Sequence, residues 1–249
     1  MKLQLLIWLL RHVPSLRAPL VDYLAASSLE YRISQIPELC DKLGVVYDIG
    51  ANRGDWTRMA QRWLPASKFF LFEANEAHTA SLRTLQQFFH IGVLSDRTRE
   101  VEFFGDGGTG DSYFRENTVH YEAVTPRVVE ARALDDVIQE KNLPMPDFIK
   151  LDTQGAELDI LRGAETALSH AMLVYLECPF LAYNVGAPKF QDYIDYFDHH
   201  GFYPIDICEK HYFAGALVQG DFLFARKSMV PARKRLKSAE NGVVSTQLG

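Results

Sequence analysis

The chain is expected to fold as an α/β domain with a doubly wound, mostly parallel sheet and helices on both faces. Three observations point there. Strand-like and helix-like stretches alternate through the middle of the chain, as parallel strands joined by helical crossovers require. The first apolar strand runs into a glycine turn, "DIGANRG", at the kind of strand end where such sheets bind ligands. The 249 residues, 47% hydrophobic and 23% charged, suffice to bury one full core.

In chain order, "MKLQLLIWLLRHVPSLRAPLVDYL" carries an apolar run from Leu3 to Leu10 that Arg11, His12 and Pro14 interrupt, well short of the roughly 20 residues that span a bilayer. No small-residue cleavage site follows it, as a secretory signal needs. It reads as an amphipathic helix within a 1–42 extension, packed on the domain or on a partner chain in a homo-oligomer, with a peripheral membrane contact as the alternative. Strands are expected at Val45 to Ile49, Lys68 to Glu73, Phe89 to Leu94, Phe148 to Asp152, Leu173 to Glu177, Phe202 to Ile207 and Asp221 to Ala225. Helices fall between them, at Trp56 to Leu64, Glu76 to Phe88, Leu134 to Lys141, Glu157 to Leu168 and Phe190 to His200. Arg99 to Thr118 breaks the alternation with an edge-strand-like piece and a Gly-rich loop, a lid or acceptor-side insertion. The domain is taken as 43–227. Residues 228–249 lack apolar periodicity and read as a disordered tail.

A net charge of -6 lacks the basic footprint of a protein whose main partner is nucleic acid. The three cysteines, Cys40, Cys178 and Cys208, are too widely spaced for a zinc cluster or a disulfide framework, which fits a reducing cytoplasm.

The glycine turn narrows the ligand. A dinucleotide fingerprint counted from Gly50 would need glycine where Asn52 and Asp55 stand. The second glycine of that fingerprint lets backbone approach a phosphate. An Asn there, with Asp48 and Asp55 beside it, suits a ligand that is not an anion, and the turn reads as built for something cationic. The next strand ends in "FLFEANEAH", where Glu73 stands about 20 residues beyond the turn, the spacing at which an acidic residue accepts ribose hydroxyls. A nucleoside with positive charge and no phosphate describes S-adenosylmethionine. The plain alternative is that Asp48 caps the turn and Glu73 is a solvated strand-end charge.

A second cluster, "FIKLDTQGAELDILRGAE", runs from a strand bearing Lys150 and Asp152 through Gly155 into a helix near Glu157. With "VVYDIGANRGDWT", "FLFEANEAH", "GVLSD", "LVYLECP", "YNVGAPKFQDYIDYFDHHGF" and "QGDFLFARK", it resembles the FkbM-type methyltransferases over roughly Val45 to Lys227. The resemblance implies a class I methyltransferase (Rossmann-like) fold and S-adenosylmethionine-dependent methyl transfer to an oxygen of a sugar, polysaccharide or secondary metabolite. The family more often carries Val and Glu where this chain has Thr153 and Gln154, which leaves the role of position 154 open.

Together these readings assign cofactor binding to Asp48, Gly50, Ala51, Asn52, Gly54, Trp56, Glu73, Ala74, Val93 and Asp152. Core packing is the competing role for Trp56 and for Tyr183. Asp152 and Glu177, at the ends of the fourth and fifth strands, are expected to share the crevice of the glycine turn and to supply the base for an acceptor hydroxyl. Glu157 is a weaker catalytic candidate, since an acid in a first helical turn commonly serves the helix. His90 starts a strand and so faces the wrong end, while His199 and His200 precede Gly201 at a helix C-terminus. No two histidines pair with carboxylates at a persuasive metal-binding spacing. Metal independence is therefore expected, with a divalent ion between Asp152 and Glu177 as the alternative. A catalytically inactive nucleoside-binding module and an NAD-dependent oxidoreductase are the rival functions. The acceptor-side loops, Thr109 to Tyr113 and Tyr183 to Pro188, carry no readable code for the acceptor.

Overall fold

A computed structural model describes residues 29–34, 42–105, 108, 110–117, 123–181 and 184–229. The chain runs β1 (Val45–Ile49), α1 (Asp55–Trp63), β2 (Lys68–Glu73), a 3-10 turn at Glu76–His78, α2 (Thr79–Arg83), β3 (Phe88–Ile91), β4 (Val93–Ser95) and β5 (Arg99–Phe103). It continues through β6 (Arg127–Ala133), α3 (Leu134–Lys141), β7 (Phe148–Leu151), α4 (Glu157–Arg162), α5 (Glu165–His170), β8 (Leu173–Pro179), α6 (Phe190–His199), β9 (Phe202–Phe213) and β10 (Ala216–Arg226). Seven strands form the main sheet in the order β3-β2-β1-β7-β8-β10-β9. The first five in that order are parallel, and β10 and β9 pair antiparallel at one edge. The order reverses between β1 and β7, so the crevice for a ligand lies beyond their carboxyl ends.

Alternation of side chains along the strands builds a core on each face. Tyr47, Ile49, Ile149 and Leu151 pack with residues of α3, α4, α5 and α6. Val46 and Phe148 point the other way, to Ala60 of α1 and Leu82 of α2. On that second face Asp48 and Lys150 fall opposite one another in register. Residues 29–34 form a helical turn that buries Leu29 and Ile33 in the same core. The rest of the expected N-terminal helix and residues 230–249 of the expected tail lie outside the described residues.

The alternating pattern was legible, but several elements differ from expectation. The strand expected at Phe89 to Leu94 divides at Gly92, whose N–H donates to the Glu73 carbonyl at 2.9 Å. Beyond it β4 leaves the main sheet and pairs with β6, which also takes β5 to make a small second sheet. β6 itself was not anticipated. The long helix expected after Glu76 shrinks to α2, because Gln86 adopts a left-handed φ of 54° and Phe88 already pairs with Phe70. The helix expected from Glu157 breaks at Gly163, which lies so close to β4 that a Cβ would stand 2.2 Å from the Ser95 carbonyl oxygen.

Candidate active site

Two cavities open at the carboxyl ends of the strands. The first, of about 300 Å³, is lined by the β1 turn, the end of β2, the start of β4 and the turn after β7. The second, of about 320 Å³, lies against β8, β9 and β10. Trp56, Lys150 and Asp152 line both.

The β1 turn is shaped by backbone constraints. Gly50 has φ 74°, and a Cβ there would stand 1.9 Å from the Asp152 carbonyl oxygen, so only glycine lets the two turns touch. Asn52, at φ 47°, donates its backbone N–H to Glu73 Oε2 at 2.6 Å. Glu73 Oε1 accepts the Asn75 N–H at 2.7 Å. The N–H that a pyrophosphate would need is thus spent on a carboxylate, which disfavours a dinucleotide at this turn. Burial raises the Glu73 pKa above the ordinary glutamate value, against the lowering pull of the Asn75 and Asn52 hydrogen bonds and of His78 and Lys150.

Of the residues assigned to cofactor binding, Gly50, Ala51, Asn52, Trp56, Glu73, Ala74, Val93 and Asp152 line the first cavity. Asp48 and Gly54 do not. Asp48 is fully buried beneath the turn, where Thr57 Oγ1 donates to it at 2.6 Å and Lys150 Nζ stands 3.0 Å away. Its charge is therefore matched inside the fold and is not offered to a ligand. Gly54 begins α1 at φ 83°, and a Cβ there would meet Leu85 Cδ1 at 2.3 Å, so it serves conformation and packing.

Asp152 and Glu177 share the second cavity, but only Asp152 also reaches the first, where the glycine turn lies. Gln154 Nε2 donates to Asp152 Oδ1 at 3.0 Å, and Lys150 Nζ lies 3.8 Å from Asp152 Oδ2. Position 154 therefore carries a positioning amide where the family more often has an acid. Burial and the neighbouring charges of Asp152 and Asp221 raise the Glu177 pKa well above the glutamate range.

Glu157 lines neither cavity. Its buried carboxylate accepts the Thr153 N–H at 2.9 Å, the Thr153 hydroxyl at 3.1 Å, the Gly155 N–H at 3.1 Å and the Tyr193 hydroxyl at 2.8 Å. These bonds fix the turn that carries Asp152 and Gln154, in which Gln154 and Gly155 both have positive φ. All four of these donors lie within the fold.

Several further lining residues come from the insertion at Arg99 to Thr118, none of them named individually as a site residue from sequence. Phe103 of β5 and Gly108, Asp111, Ser112 and Tyr113 of the Gly-rich loop wall the first cavity. Asn75 Nδ2 ties the loop down by donating to Asp111 Oδ2 at 2.6 Å. The loop expected on the acceptor side thus faces the cavity of Glu73, while Thr109 and Tyr183 lie outside the described residues. Described residues 184–188 of the other loop line neither cavity. His211 also went unremarked, because β9 extends past its expected end at Ile207.

Comparison with known proteins follows the same outline. The Methyltransferase FkbM domain matches residues 48–204, more than half of the chain. The chain belongs to the FkbM methyltransferase family. This FkbM-family chain is 31% identical over 163 residues to the 2-O-methyltransferase NoeI of Sinorhizobium fredii, covering 57% of this chain and 67% of that protein. Among solved structures, the methyltransferase FkbM from Methylobacillus flagellatus KT matches with a TM-score of 0.45 at 16% identity, over 72% of this chain and 43% of that one. The chain thus spans less than half the length of that protein. The M. capricolum TrmK complex with S-adenosyl-homocysteine matches with a TM-score of 0.45 at 9% identity, over 79% and 68% of the two chains. The FkbM-family membership and the strand order above together give the class I methyltransferase fold. Cys178 and Cys208 are buried, and among the described residues no helix is long and apolar enough to cross a membrane.

Proposed function

We propose that this chain transfers a methyl group from S-adenosylmethionine to a hydroxyl oxygen of a sugar, polysaccharide or secondary metabolite. The observation that carries this reading is the Glu73 carboxylate, held on the wall of the first cavity by two backbone N–H groups. A carboxylate has about four lone-pair sites, so two remain for a pair of ribose hydroxyls. Ala74, Val93, Leu94 and Phe103 give an apolar wall suited to a flat base. The charged side chains lining this cavity are Glu73, Asp55, Asp111 and Asp152 against Arg53 and Lys150, and Lys150 is engaged by Asp48. That balance favours a cationic ligand over a pyrophosphate.

Bound there, the cofactor supplies a methyl group on a sulfonium, an electrophile that leaves a neutral thioether when an acceptor oxygen takes the methyl. The chain's part is alignment and proton removal. Asp152, on the shared wall, accepts the hydroxyl proton, and Gln154 holds the carboxylate toward the boundary of the two cavities. Such a base contributes roughly 10²- to 10⁴-fold, and positioning adds several kcal/mol. Transfer to oxygen accords with the 2-O-methyltransferase among the relatives. The test is incubation with isotopically labelled S-adenosylmethionine and extracts of the source organism, with methylated products identified by mass spectrometry. Labelled methyl ethers support the proposal. Binding of S-adenosylmethionine with no product from any hydroxylated acceptor leaves only an inactive binding module, and binding of NAD in its place overturns the cofactor as well.

A further inference from the structure

We propose that Glu177, His211 and Asp221 form a binding site for a first-row divalent metal ion on the wall of the second cavity. The cluster is a product of strand register. On neighbouring strands Glu177 of β8 stands directly opposite Asp221 of β10, and Asp221 directly opposite Glu209 of β9. Like charges in such cross-strand positions are destabilising, and Asp152 adds a fourth carboxylate to the same cavity. The basic side chains lining it are Lys150, engaged by Asp48, and His211.

The geometry is that of a ligand set. One side-chain atom from each of the three residues lies within 4.8 Å of the other two. Metal–ligand bonds of about 2.1 Å let two ligands stand up to about 4.2 Å apart, so small rotamer adjustments close the set. Asp221 Oδ1 is buried and accepts no well-formed hydrogen bond, with His211 Nε2 at 3.4 Å, beyond the ordinary N–H···O range. Its other oxygen accepts the Tyr175 hydroxyl at 2.7 Å, the outer bond that commonly orients a ligating carboxylate. One imidazole nitrogen with two carboxylate oxygens suits Mn²⁺ or a similar ion better than Ca²⁺ or Cu⁺. Three protein ligands leave coordination positions open toward the cavity that Asp152 also lines, where oxygens of the acceptor could complete the shell. That last role rests on the methyl-transfer reading, while the site does not.

The experiment uses the full chain, stripped with EDTA and titrated with Mn²⁺ while the free-ion electron paramagnetic resonance signal is followed. One saturable site per chain is expected, with His211→Ala and Glu177→Gln each weakening it about tenfold or more. His211 is partly exposed in the β9–β10 hairpin, so its variant should fold even if Asp221→Asn does not. Absence of saturable binding, or the same affinity in both variants as in the parent, overturns the proposal. Calorimetry with S-adenosylmethionine on the same samples separates the two readings, since its outcome bears on the first cavity alone.

Discussion

Replacing Glu73 by glutamine should weaken S-adenosylmethionine binding by roughly 10- to 100-fold while leaving a folded protein. The carboxylate accepts the Asn52 N–H on one oxygen and the Asn75 N–H on the other. A glutamine offers one oxygen and one NH₂, so one of the two backbone donors must face another donor. The unsatisfied N–H costs the fold about 1 to 3 kcal/mol, and each hydrogen bond to a charged acceptor is worth about 1.5 to 3 kcal/mol. The second figure, lost from ribose recognition, gives the affinity change at 1.4 kcal/mol per tenfold. Titration calorimetry reads the affinity and a thermal melt reads the fold. A variant whose melting temperature drops but whose cofactor affinity is unchanged would show that Glu73 only shapes the turn, and the ribose would have to be placed elsewhere.

The same carboxylate gives a pH signature of opposite sign in the two measurements. Burial raises its folded pKa above the ordinary value. Its contribution to folding stability is therefore fully present below the unfolded pKa and is lost as pH rises through the raised folded value. Cofactor affinity moves the other way, falling as pH drops through that value, because the protonated acid is a poorer acceptor for two hydroxyls. Glu73→Gln should flatten this component of both curves.

Three further outcomes are expected. Gly50→Ala combines a left-handed φ, costing about 1 to 2 kcal/mol, with an overlap against the Asp152 carbonyl worth about 1 to 3 kcal/mol more, and an unchanged urea midpoint would show that the two turns do not touch as described. Asp152→Asn should lower turnover by about 10²-fold or more with little change in cofactor affinity, whereas loss of binding with near-normal turnover at saturating cofactor would make Asp152 a cofactor ligand. Deleting residues 1–40 removes the buried Leu29 and Ile33 and the Arg32–Asp206 ion pair, a loss of about 3 to 6 kcal/mol from the two apolar side chains alone, and a melting temperature equal to that of the full chain would refute their part in the core.

What the sequence made legible follows from local pattern. β1, β2 and α3 fall where apolar alternation and helical periodicity put them, and the spacing from glycine turn to Glu73 survives as a direct hydrogen bond. The missing parts depend on neighbours distant in sequence. "RVVEARA" was not anticipated as a strand, and its partners β4 and β5 are needed to see why it is β6. Gly163 breaks a helix only because β4 passes beside it. Glu157 looks like an acid at a helix start until Tyr193, 36 residues on, is found donating to it. His211 and Asp221 become neighbours only once β9 and β10 are known to pair and β9 to run beyond Ile207.

The pairing of Asp48 with Lys150 decides how the charge of the first cavity is to be counted. In sequence, Asp48 and Glu73 are both strand-end acids beside a glycine turn and look equally available to a cationic ligand. Parallel pairing of β1 with β7 sets Lys150 in register with Asp48, on a strand otherwise made of Phe148, Ile149 and Leu151. Its ammonium lies 3.0 Å from Asp48 Oδ1 and donates to the Gly50 carbonyl at 3.0 Å, but reaches Asp152 only at 3.8 Å. A buried carboxylate left alone would be costly, and one matched by a cation is inert toward ligands. Glu73 is held by backbone N–H groups instead, which orient a carboxylate without cancelling its charge. The cavity therefore keeps negative charge at Glu73 and Asp152, on either side of the turn, and this is the charge that the proposed sulfonium cofactor would meet.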